Sequence, residues 1–371
     1  MSSVNQRLLQ PGERIRVLVV DDSVVIRRLV TNALDKDPLL ELVGTASNGS
    51  IGMQRIQQLN PDVITLDIEM PEMDGLEMLR RIRREFPHLR VIMFSTLTER
   101  GAQKTLEALT LGADDYVAKG SHQGSLDSSI TSLREEMIPK IRQFFRLSDQ
   151  PHIPPAKDTA HSPWPAAHDR NASALRTVKM RPKVVVIGIS TGGPTALGVI
   201  LPTLPADFPL PVLIVQHMPP LFTRLLAERL NATCKLPAEE ATDNSPVQQG
   251  KILIAPGDFH MKVASNGSGA RVFLDQGPRL NSCRPAVDAL FKSAGEVYGG
   301  AVLAAILTGM GQDGLRGAGI LKALGATILA QDEASSIVWG MPGAVVEAGY
   351  ADRVLPLDGV VPEILRITER N

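Results

Sequence analysis

The chain has 371 residues, 43% of them hydrophobic, and a formal net charge of -1, so no excess of positive charge points to nucleic acid as a partner. No apolar run is long enough to span a membrane, and the start lacks the hydrophobic stretch of a signal peptide, so we expect a cytoplasmic protein without direct membrane insertion. The length allows two domains.

Short apolar runs alternate with helical patterns in the first part of the chain. The run at 76–86 is typical of an amphipathic helix. Strand-length apolar runs favour strands buried on both faces of a parallel sheet. The predicted strands are 16–22, 41–46, 62–67, 90–95 and 115–119.

Polar residues follow these strands where a ligand of a parallel sheet would bind. Asp21 and Asp22 end the first strand and Asp67 ends the third, so three carboxylates converge if the strands are neighbours. A cation such as Mg²⁺ would neutralise them and keep waters for a phosphate. Ser95 and Lys119 end two further strands and suit a bound phosphoryl group. The alternative is that these are ordinary solvated residues at strand ends.

The stretches DDSVVIRR, LDIEMPEMDGLEML, FSTLTERG and GADDYVAKG resemble a response-regulator receiver domain over residues 14–133. The resemblance implies a flavodoxin-like fold in which Asp67 accepts a phosphoryl group from a histidine kinase of the chemotaxis type. It also implies a Mg²⁺ site made by Asp21, Asp22, Asp67 and the carbonyl of Glu69.

The same resemblance assigns the remaining receiver positions. Ser95 and Tyr116 match the hydroxyl and aromatic switch positions, and Lys119 matches the lysine that contacts the phosphoryl group. Gly120 is a departure, because the family usually has a proline there.

A change of composition separates the two halves of the chain. Residues 148–180 are rich in Pro, Ala, Ser and His and show no apolar period, as in a solvated linker. We therefore place a connecting helix and flexible linker at 134–179, followed by a catalytic domain at 180–371. This second half repeats the α/β scheme, with predicted strands at 183–188, 211–216, 251–256, 301–307 and 326–330.

The motif Gly188-Ile189-Ser190-Thr191-Gly192 matches G-x-S-x-G directly after a predicted strand. A helix beginning near Gly193-Pro194 would offer its first amides to an oxyanion. Glycine-rich turns also bind phosphates, but this one lacks the Lys-Ser/Thr of a P-loop, and serine stands where G-x-G-x-x-G needs glycine. The motif therefore favours Ser190 as a nucleophile.

A serine nucleophile needs a base and an orienting acid. His217 directly follows a strand and is preferred as the base over His260, which follows another strand after a short turn. Asp313 lies in the glycine-rich turn TGMGQDG and is preferred as the acid. Asp258 and Asp288 are the alternatives. The order Ser, His, Asp differs from that of α/β-hydrolases.

The stretches IGISTGG, VQHMPP, APGDFHM and LTGMGQDG resemble the catalytic domain of chemotaxis protein-glutamate methylesterases. The resemblance implies a Rossmann-like esterase with Ser190, His217 and Asp313 as its triad, Thr191 and Met310 lining the site, and no cofactor for the reaction. It implies demethylation of γ-glutamyl methyl esters on chemoreceptors, with release of methanol, and deamidation of receptor glutamines.

The fold class expected from both halves is α/β, with two doubly wound parallel-sheet domains joined by a linker. The two cysteines, Cys234 and Cys283, lack metal-type spacing, and Cys283 is expected to be a pocket or core thiol. Two other classes stay open from the residues alone. The second half could only bind a nucleotide or partner, or it could bind nucleic acid, although no helix-turn-helix pattern or basic helix is apparent.

Overall fold

The computed structural model describes residues 7–96, 98–119, 126–147, 180–265, 267 and 269–369, apart from the side chains of 126–129 and 147. The expectations for Gly120 and for the linker at 148–179 fall outside these residues. Within them, no helix combines the length and apolar character needed to cross a bilayer.

The first half is a five-stranded parallel sheet with strand order β3-β2-β4-β5-β6, flanked by helices. The short β1 and β7 pair with each other in parallel. The strands are β1 (Arg7–Leu9), β2 (Ile15–Val20), β3 (Leu40–Ala46), β4 (Val63–Asp67), β5 (Arg90–Thr96), β6 (Asp115–Lys119) and β7 (Phe145–Leu147). The helices are α1 (Val24–Leu34), α2 (Gly49–Leu59), α3 (Gly75–Glu85), α4 (Glu99–Thr110) and α5 (Leu126–Arg142). The domain boundary expected at residue 133 therefore lies inside α5.

The second half is a seven-stranded parallel sheet with order β10-β11-β9-β8-β14-β15-β16 and a separate antiparallel hairpin of β12 and β13. Its strands are β8 (Val184–Ile189), β9 (Val212–Gln216), β10 (Ala238–Glu240), β11 (Ile252–Ile254), β12 (His260–Ser265), β13 (Ala270–Asp275), β14 (Val302–Ile306), β15 (Thr327–Gln331) and β16 (Arg353–Leu355). Its helices are α6 (Gly193–Ile200), α7 (Pro220–Thr233), α8 (Val287–Tyr298), α9 (Leu315–Ala323), α10 (Met341–Glu347) and α11 (Leu357–Glu369), with a 3₁₀ turn at Leu201–Thr203.

The central strands of both sheets are buried along their whole length. Every residue of β4, β8, β9 and β14 is buried, which explains their continuous apolar sequences. Helices cover both faces, so the fold class is the α/β arrangement expected from the sequence. In such sheets the carboxyl ends of the strands carry the ligand sites.

The two halves share one continuous apolar core. Leu106 and Leu109 of α4 and Tyr116 of β6 belong to the same buried cluster as Phe222 and Leu225 of α7. Full burial of a Leu or Phe side chain stabilises a folded protein by roughly 1.5–3 kcal/mol, and part of that burial comes here from the opposite half. The receiver half is thus packed against α6 and α7, the helices that follow the first two strands of the catalytic sheet.

Candidate active site and phosphorylation site

Ser190 and His217 occupy matching positions at the carboxyl edge of the second sheet. β8 and β9 are parallel neighbours, and Ile189 lies opposite Gln216. The residues that follow these two, Ser190 and His217, therefore come side by side at the ends of the strands. The backbone N–H of His217 donates to Ile189 O at 3.3 Å, and Gln216 Nε2 donates to Ser190 O at 2.9 Å. The strand register therefore brings the two predicted residues together.

The turn around Ser190 depends on glycine. Gly192 has a φ of +79° just before α6 begins. A Cβ on Gly309 would lie 2.7 Å from Ser190 Cβ, so only glycine lets the loop after β14 approach the serine. The Ser190 backbone N–H donates to Thr308 O at 3.0 Å, which fixes the serine between the ends of β9 and β14.

His217 and Asp313 are joined directly. His217 Nε2 lies 2.8 Å from Asp313 Oδ2, and the aspartate is buried. Asp313 also accepts from the backbone N–H groups of Val287 at 2.6 Å and Gly314 at 3.0 Å, and from Asn281 Nδ2 at 2.9 Å. Burial raises the pKa of Asp313, but these hydrogen bonds, led by that of His217, outweigh burial and lower the pKa. The acid is therefore held ionised against the ring.

The other ring nitrogen, His217 Nδ1, lies 3.6 Å from Cys283 Sγ. Burial lowers the pKa of His217, but the hydrogen bonds with Asp313 and then Cys283 outweigh burial and raise the pKa to about 10. Because Nε2 faces Asp313, Nδ1 is the nitrogen left to take a proton from Ser190. Among the described residues Ser190 Oγ makes no hydrogen bond to the ring, and such bonds commonly tighten only with substrate.

The alternative base lies in a different environment. His260 begins β12, is 2% exposed, and its Nε2 contacts Pro278 O at 3.0 Å. No hydrogen bond to a carboxylate or to Ser190 involves His260 in the described part of the chain. Among the described residues, His260 therefore has no counterpart of the carboxylate contact that His217 makes with Asp313.

The two alternative acids have other partners. Asp258 forms an ion pair with Arg284 at 2.6 Å. Asp288 accepts from the backbone N–H of Gly317 at 2.7 Å and from Asn281 Nδ2 at 2.9 Å. Burial, together with the charge of Asp313, raises the pKa of Asp288 to about 6. Asp288 thus supports the acid without touching the ring.

The two residues expected to line the site differ in exposure. Met310 follows Gly309 and is 40% exposed, so its side chain is open to a substrate. Thr191 is buried, and its Oγ1 lies 3.0 Å from Asp115 Oδ2 and 3.1 Å from Gln143 Oε1, both in the receiver half. The residue after Ser190 is therefore held by contacts with the first half of the chain.

The predicted phosphorylation site is assembled at the carboxyl edge of the first sheet. Carboxylate oxygens of Asp21, Asp22 and Asp67 lie within 4.8 Å of one another. Lys119 Nζ lies 2.9 Å from Asp21 Oδ2 and 2.8 Å from Asp67 Oδ1. An open cavity of about 340 Å³ adjoins Asp67, Asp22 and Lys119.

This donor set fits a hard divalent cation. Burial, followed by the charge of Asp21, raises the pKa of Asp67 to about 6 despite the Lys119 contact. Asp21 Oδ2 is buried and, although close to Lys119, has no well-aligned hydrogen bond among the described residues. A cation bound by these oxygens would stabilise the ionised form of Asp67 and would give Asp21 Oδ2 a partner. The Glu69 side chain contacts Lys104, with Oε1 lying 2.8 Å from Lys104 Nζ.

The two predicted switch residues, Ser95 and Tyr116, have different neighbours. Ser95 Oγ donates to Gly101 O at 3.1 Å in the first turn of α4. Tyr116 is buried and stacks on Phe222, with ring centroids 4.7 Å apart and planes inclined by 14°. Tyr116 and Lys119 belong to the same five-residue strand, β6.

Further polar contacts join α4 to the catalytic half. Thr195 Oγ1 donates to Leu109 O at 2.8 Å, and Arg229 Nη1 donates to Leu106 O at 3.0 Å. Arg224 Nη2 and Glu99 Oε1 form an ion pair at 3.0 Å. With the Asp115–Thr191 and Tyr116–Phe222 contacts, these form an interdomain contact of α4 and β6 with α6, α7 and the turn before α6.

Sequence reasoning missed several residues of this arrangement. Asn281 bridges Asp288 and Asp313, and Asp115 and Phe222 form the interdomain contact. No chemical pattern of their own marks these residues. Asp115 does lie inside the stretch GADDYVAKG, and Phe222 comes just after VQHMPP, so a test of the other polar and aromatic residues in and beside these stretches could have found them.

Comparison with known proteins agrees with this architecture. The response regulator receiver domain family matches residues 17–131, and the CheB methylesterase family matches residues 185–364. A protein-glutamate methylesterase/protein-glutamine glutaminase of Nocardioides sp. is 51% identical over 96% of this chain and 95% of its own. One of Trichodesmium erythraeum with the same name is 47% identical over 95% of this chain and 99% of its own.

A solved structure covers the second half. The crystal structure of the Thermotoga maritima CheB methylesterase catalytic domain is 45% identical, with a TM-score of 0.50 over 51% of this chain and all of that domain. The chain therefore belongs to the family of protein-glutamate methylesterases/protein-glutamine glutaminases that carry a response regulator receiver domain, and it is a carboxylic ester hydrolase of that class.

Proposed function

We propose that this protein removes methyl groups from γ-glutamyl methyl esters on the cytoplasmic part of chemoreceptors, releasing methanol, and deamidates particular receptor glutamines to glutamate. It would act in the cytoplasm, in chemotaxis adaptation or a related two-component pathway. The observation that carries the proposal is the placement of Ser190 beside His217 by the β8–β9 register, with His217 bonded to buried Asp313. This order of side chains matches what a serine nucleophile, its base and an orienting acid require.

The catalytic steps follow from these positions. Ser190 Oγ attacks the side-chain carbonyl carbon while His217 Nδ1 takes the hydroxyl proton, and Asp313 stabilises the cation that forms on the ring. The backbone N–H of Thr191 comes directly after the nucleophile and makes no hydrogen bond among the described residues, so it is available to the oxyanion.

The second half of the reaction regenerates the enzyme. His217 gives the proton to the leaving group, so that methoxide departs as methanol or, in the deamidation, the amide nitrogen departs as ammonia, and an acyl-enzyme remains on Ser190. Water, deprotonated by the same ring nitrogen, then attacks the acyl carbon and releases glutamate. Met310, open beside Gly309, would contact the receptor helix next to the reacting side chain.

The receiver half would control this reaction. We propose that the interdomain contact stabilises a resting state in which the esterase is less active. In that state Asp115 holds Thr191, the residue next to the proposed nucleophile Ser190. A histidine kinase of the chemotaxis type would phosphorylate Asp67, with Asp21, Asp22, Asp67 and the Glu69 carbonyl holding Mg²⁺. Bound Mg²⁺ would neutralise charge on the phosphoryl oxygens and orient them.

The contacts suggest how phosphorylation would reach the catalytic half. A phosphoryl group on Asp67 adds roughly two negative charges and strong acceptor oxygens. Ser95 would leave Gly101 O to donate to these oxygens, and Lys119 would follow them. Both movements disturb α4 and β6, which carry the interdomain contact.

The activity is tested with methylated chemoreceptor membranes and the full chain. Methanol release together with conversion of glutamine to glutamate in receptor peptides, detected by mass spectrometry, supports the proposal. Release of methanol from small methyl esters without any action on receptors would leave the hydrolase class intact and contradict the proposed substrate.

A further inference from the structure

Cys283 is fixed against the proposed catalytic base by a tight turn. The backbones of Leu280 and Cys283 exchange hydrogen bonds at 3.1 and 2.8 Å, and the two residues between them have positive φ angles. Cys283 Sγ lies 3.6 Å from His217 Nδ1, while His217 Nε2 lies 2.8 Å from Asp313 Oδ2. Thiol, imidazole and carboxylate therefore stand in the same order as a nucleophile, its base and an orienting acid.

This geometry has two consequences. The thiol can pass its proton to His217 Nδ1 while its sulfur attacks an electrophile. This proton transfer increases the reactivity of the thiol. The thiol also occupies the nitrogen that must take the proton of Ser190. Cys283 is a free thiol and only half-buried, which leaves it open to small reagents. A bulky or charged group on its sulfur would lie against Nδ1.

We propose that Cys283 is an oxidation site through which hydroperoxides reversibly switch off the esterase. The inference rests on the proposed function in one respect, the role of His217 as base. No step of the esterase reaction uses the thiol.

The cycle uses one hydrogen peroxide and two thiols as co-reactants. Cys283 sulfur attacks one peroxide oxygen, the O–O bond breaks, and the thiol proton passes through His217 Nδ1 to the leaving hydroxide. The thiol is oxidised by two electrons to a sulfenic acid, and the peroxide is reduced to water. A cellular thiol condenses with the sulfenic acid, releasing water and forming a mixed disulfide. A second thiol reduces this disulfide and restores Cys283.

Cys234 provides a matched control within the same chain. It caps the C-terminus of α7, is also free and half-buried, and burial raises the pKa of its thiol. No imidazole contact to Cys234 is found in the part of the chain that the structure describes. The two thiols have similar exposure but different neighbours, so a comparison of their reactivity isolates the effect of His217 on Cys283.

The experiment treats full-length wild type, Cys283→Ala, Cys283→Ser and Cys234→Ala with hydrogen peroxide and then measures methanol release. Dimedone labelling and mass spectrometry locate the sulfenic acid. We expect wild type and Cys234→Ala to lose most of their activity, to carry dimedone on Cys283 and, in samples without dimedone, to recover with dithiothreitol. Both Cys283 variants should keep their activity in peroxide. The serine variant is nearly the size of cysteine and therefore controls for a packing defect in the alanine variant. Equal inactivation of wild type and the Cys283 variants, or dimedone on Cys234 alone, would overturn the proposal.

A second readout does not depend on esterase activity. In His217→Gln, iodoacetamide should label Cys283 at neutral pH about tenfold more slowly than in wild type, with Cys234 unchanged. Unchanged labelling of Cys283 would contradict the thiol–imidazole pair. Retained esterase activity in His217→Gln would instead contradict the assignment of His217 as base, so the two failures are distinguishable.

Discussion

Asp115 of the receiver accepts a hydrogen bond from Thr191, the residue directly after the proposed nucleophile, at 3.0 Å. The same carboxylate accepts from Gln143 Nε2 at 2.9 Å and, through its other oxygen, from the backbone N–H of Tyr116. Tyr116 in turn stacks on Phe222. These contacts join the loop that carries Ser190 to the strand that carries Lys119, the lysine proposed to contact the phosphoryl group.

Loosening this contact should raise resting activity. Asp115→Asn removes the charge that Thr191 and Gln143 contact, and a hydrogen bond to a charged group contributes about 1.5–3 kcal/mol. If that energy favours the resting state, basal methanol release should rise by roughly 10- to 100-fold, up to the level of the phosphorylated protein. Asp35→Ala, an exposed change at the end of α1, is the control and should leave the rate unaltered. An Asp115→Asn protein that is folded yet no more active than wild type would argue against the contact as a restraint.

Ser190→Ala should abolish hydrolysis without unfolding the protein. Loss of a triad nucleophile typically costs on the order of 10⁴- to 10⁶-fold in rate, and the Ser190 hydroxyl makes no hydrogen bond among the described residues that the fold would lose. Methanol release from methylated receptors measures the rate, and circular dichroism checks folding. Ser265→Ala, at the exposed end of β12, should behave as wild type. Near-normal turnover by Ser190→Ala would remove the serine from the mechanism.

The two histidines of the catalytic half should respond differently to substitution. His217→Ala removes the ring bonded to Asp313 and should lower the rate by about 10⁴-fold or more. His260→Ala removes a buried contact with Pro278 O, so it should mainly lower the free energy of unfolding. Rates at limiting substrate and thermal unfolding of both variants separate the effects. The choice of base is wrong if His260→Ala is the inactive variant while His217→Ala keeps most of its activity.

The pKa of His217 predicts a pH dependence. A base must be neutral to accept a proton, and this pKa is raised to about 10, so the rate should increase as pH rises from 7 toward 10. Because the folded pKa exceeds that of the unfolded chain, the stabilisation from this group is complete below about pH 6.5 and is lost as pH approaches 10.

Cys283→Ala supplies the matched comparison for this profile. The Cys283 contact is one of the causes that raise the pKa of His217, after the hydrogen bond with Asp313. Its removal should move the rising limb of the pH–rate profile to lower pH. Superimposable profiles for the two proteins would show that the thiol does not influence the base.

The sequence predicts the strands that end at the functional sites better than the rest of the fold. Continuous apolar runs locate β4, β8, β9 and β14, because burial on both faces of a sheet requires them. The short edge strands β10 and β16 and the antiparallel hairpin were missed. Edge strands have mixed burial and few residues, so their pattern is weak.

The same reasoning explains which site residues could be predicted. Ser190, His217 and Asp313 each follow a recognisable strand, so their meeting at one edge follows from sheet topology. The contact of Cys283 with His217 depends on a turn between β13 and α8 that no local pattern specifies. The contact of Thr191 with Asp115 depends on how two separate sheets pack, which neither sheet encodes alone.

The central claim is that the receiver restrains the Ser190 esterase until Asp67 is phosphorylated. The measurement is the rate of methanol release from methylated receptors by three samples: the full chain, the full chain with a small phosphodonor and Mg²⁺, and a fragment of residues 180–371, which spans the whole of the solved Thermotoga maritima catalytic domain. We expect the fragment and the phosphorylated chain both to be faster than the untreated chain, and the rate of the fragment not to change with the phosphodonor. Equal rates for the fragment and the untreated chain, with no increase on phosphorylation, would contradict the central claim.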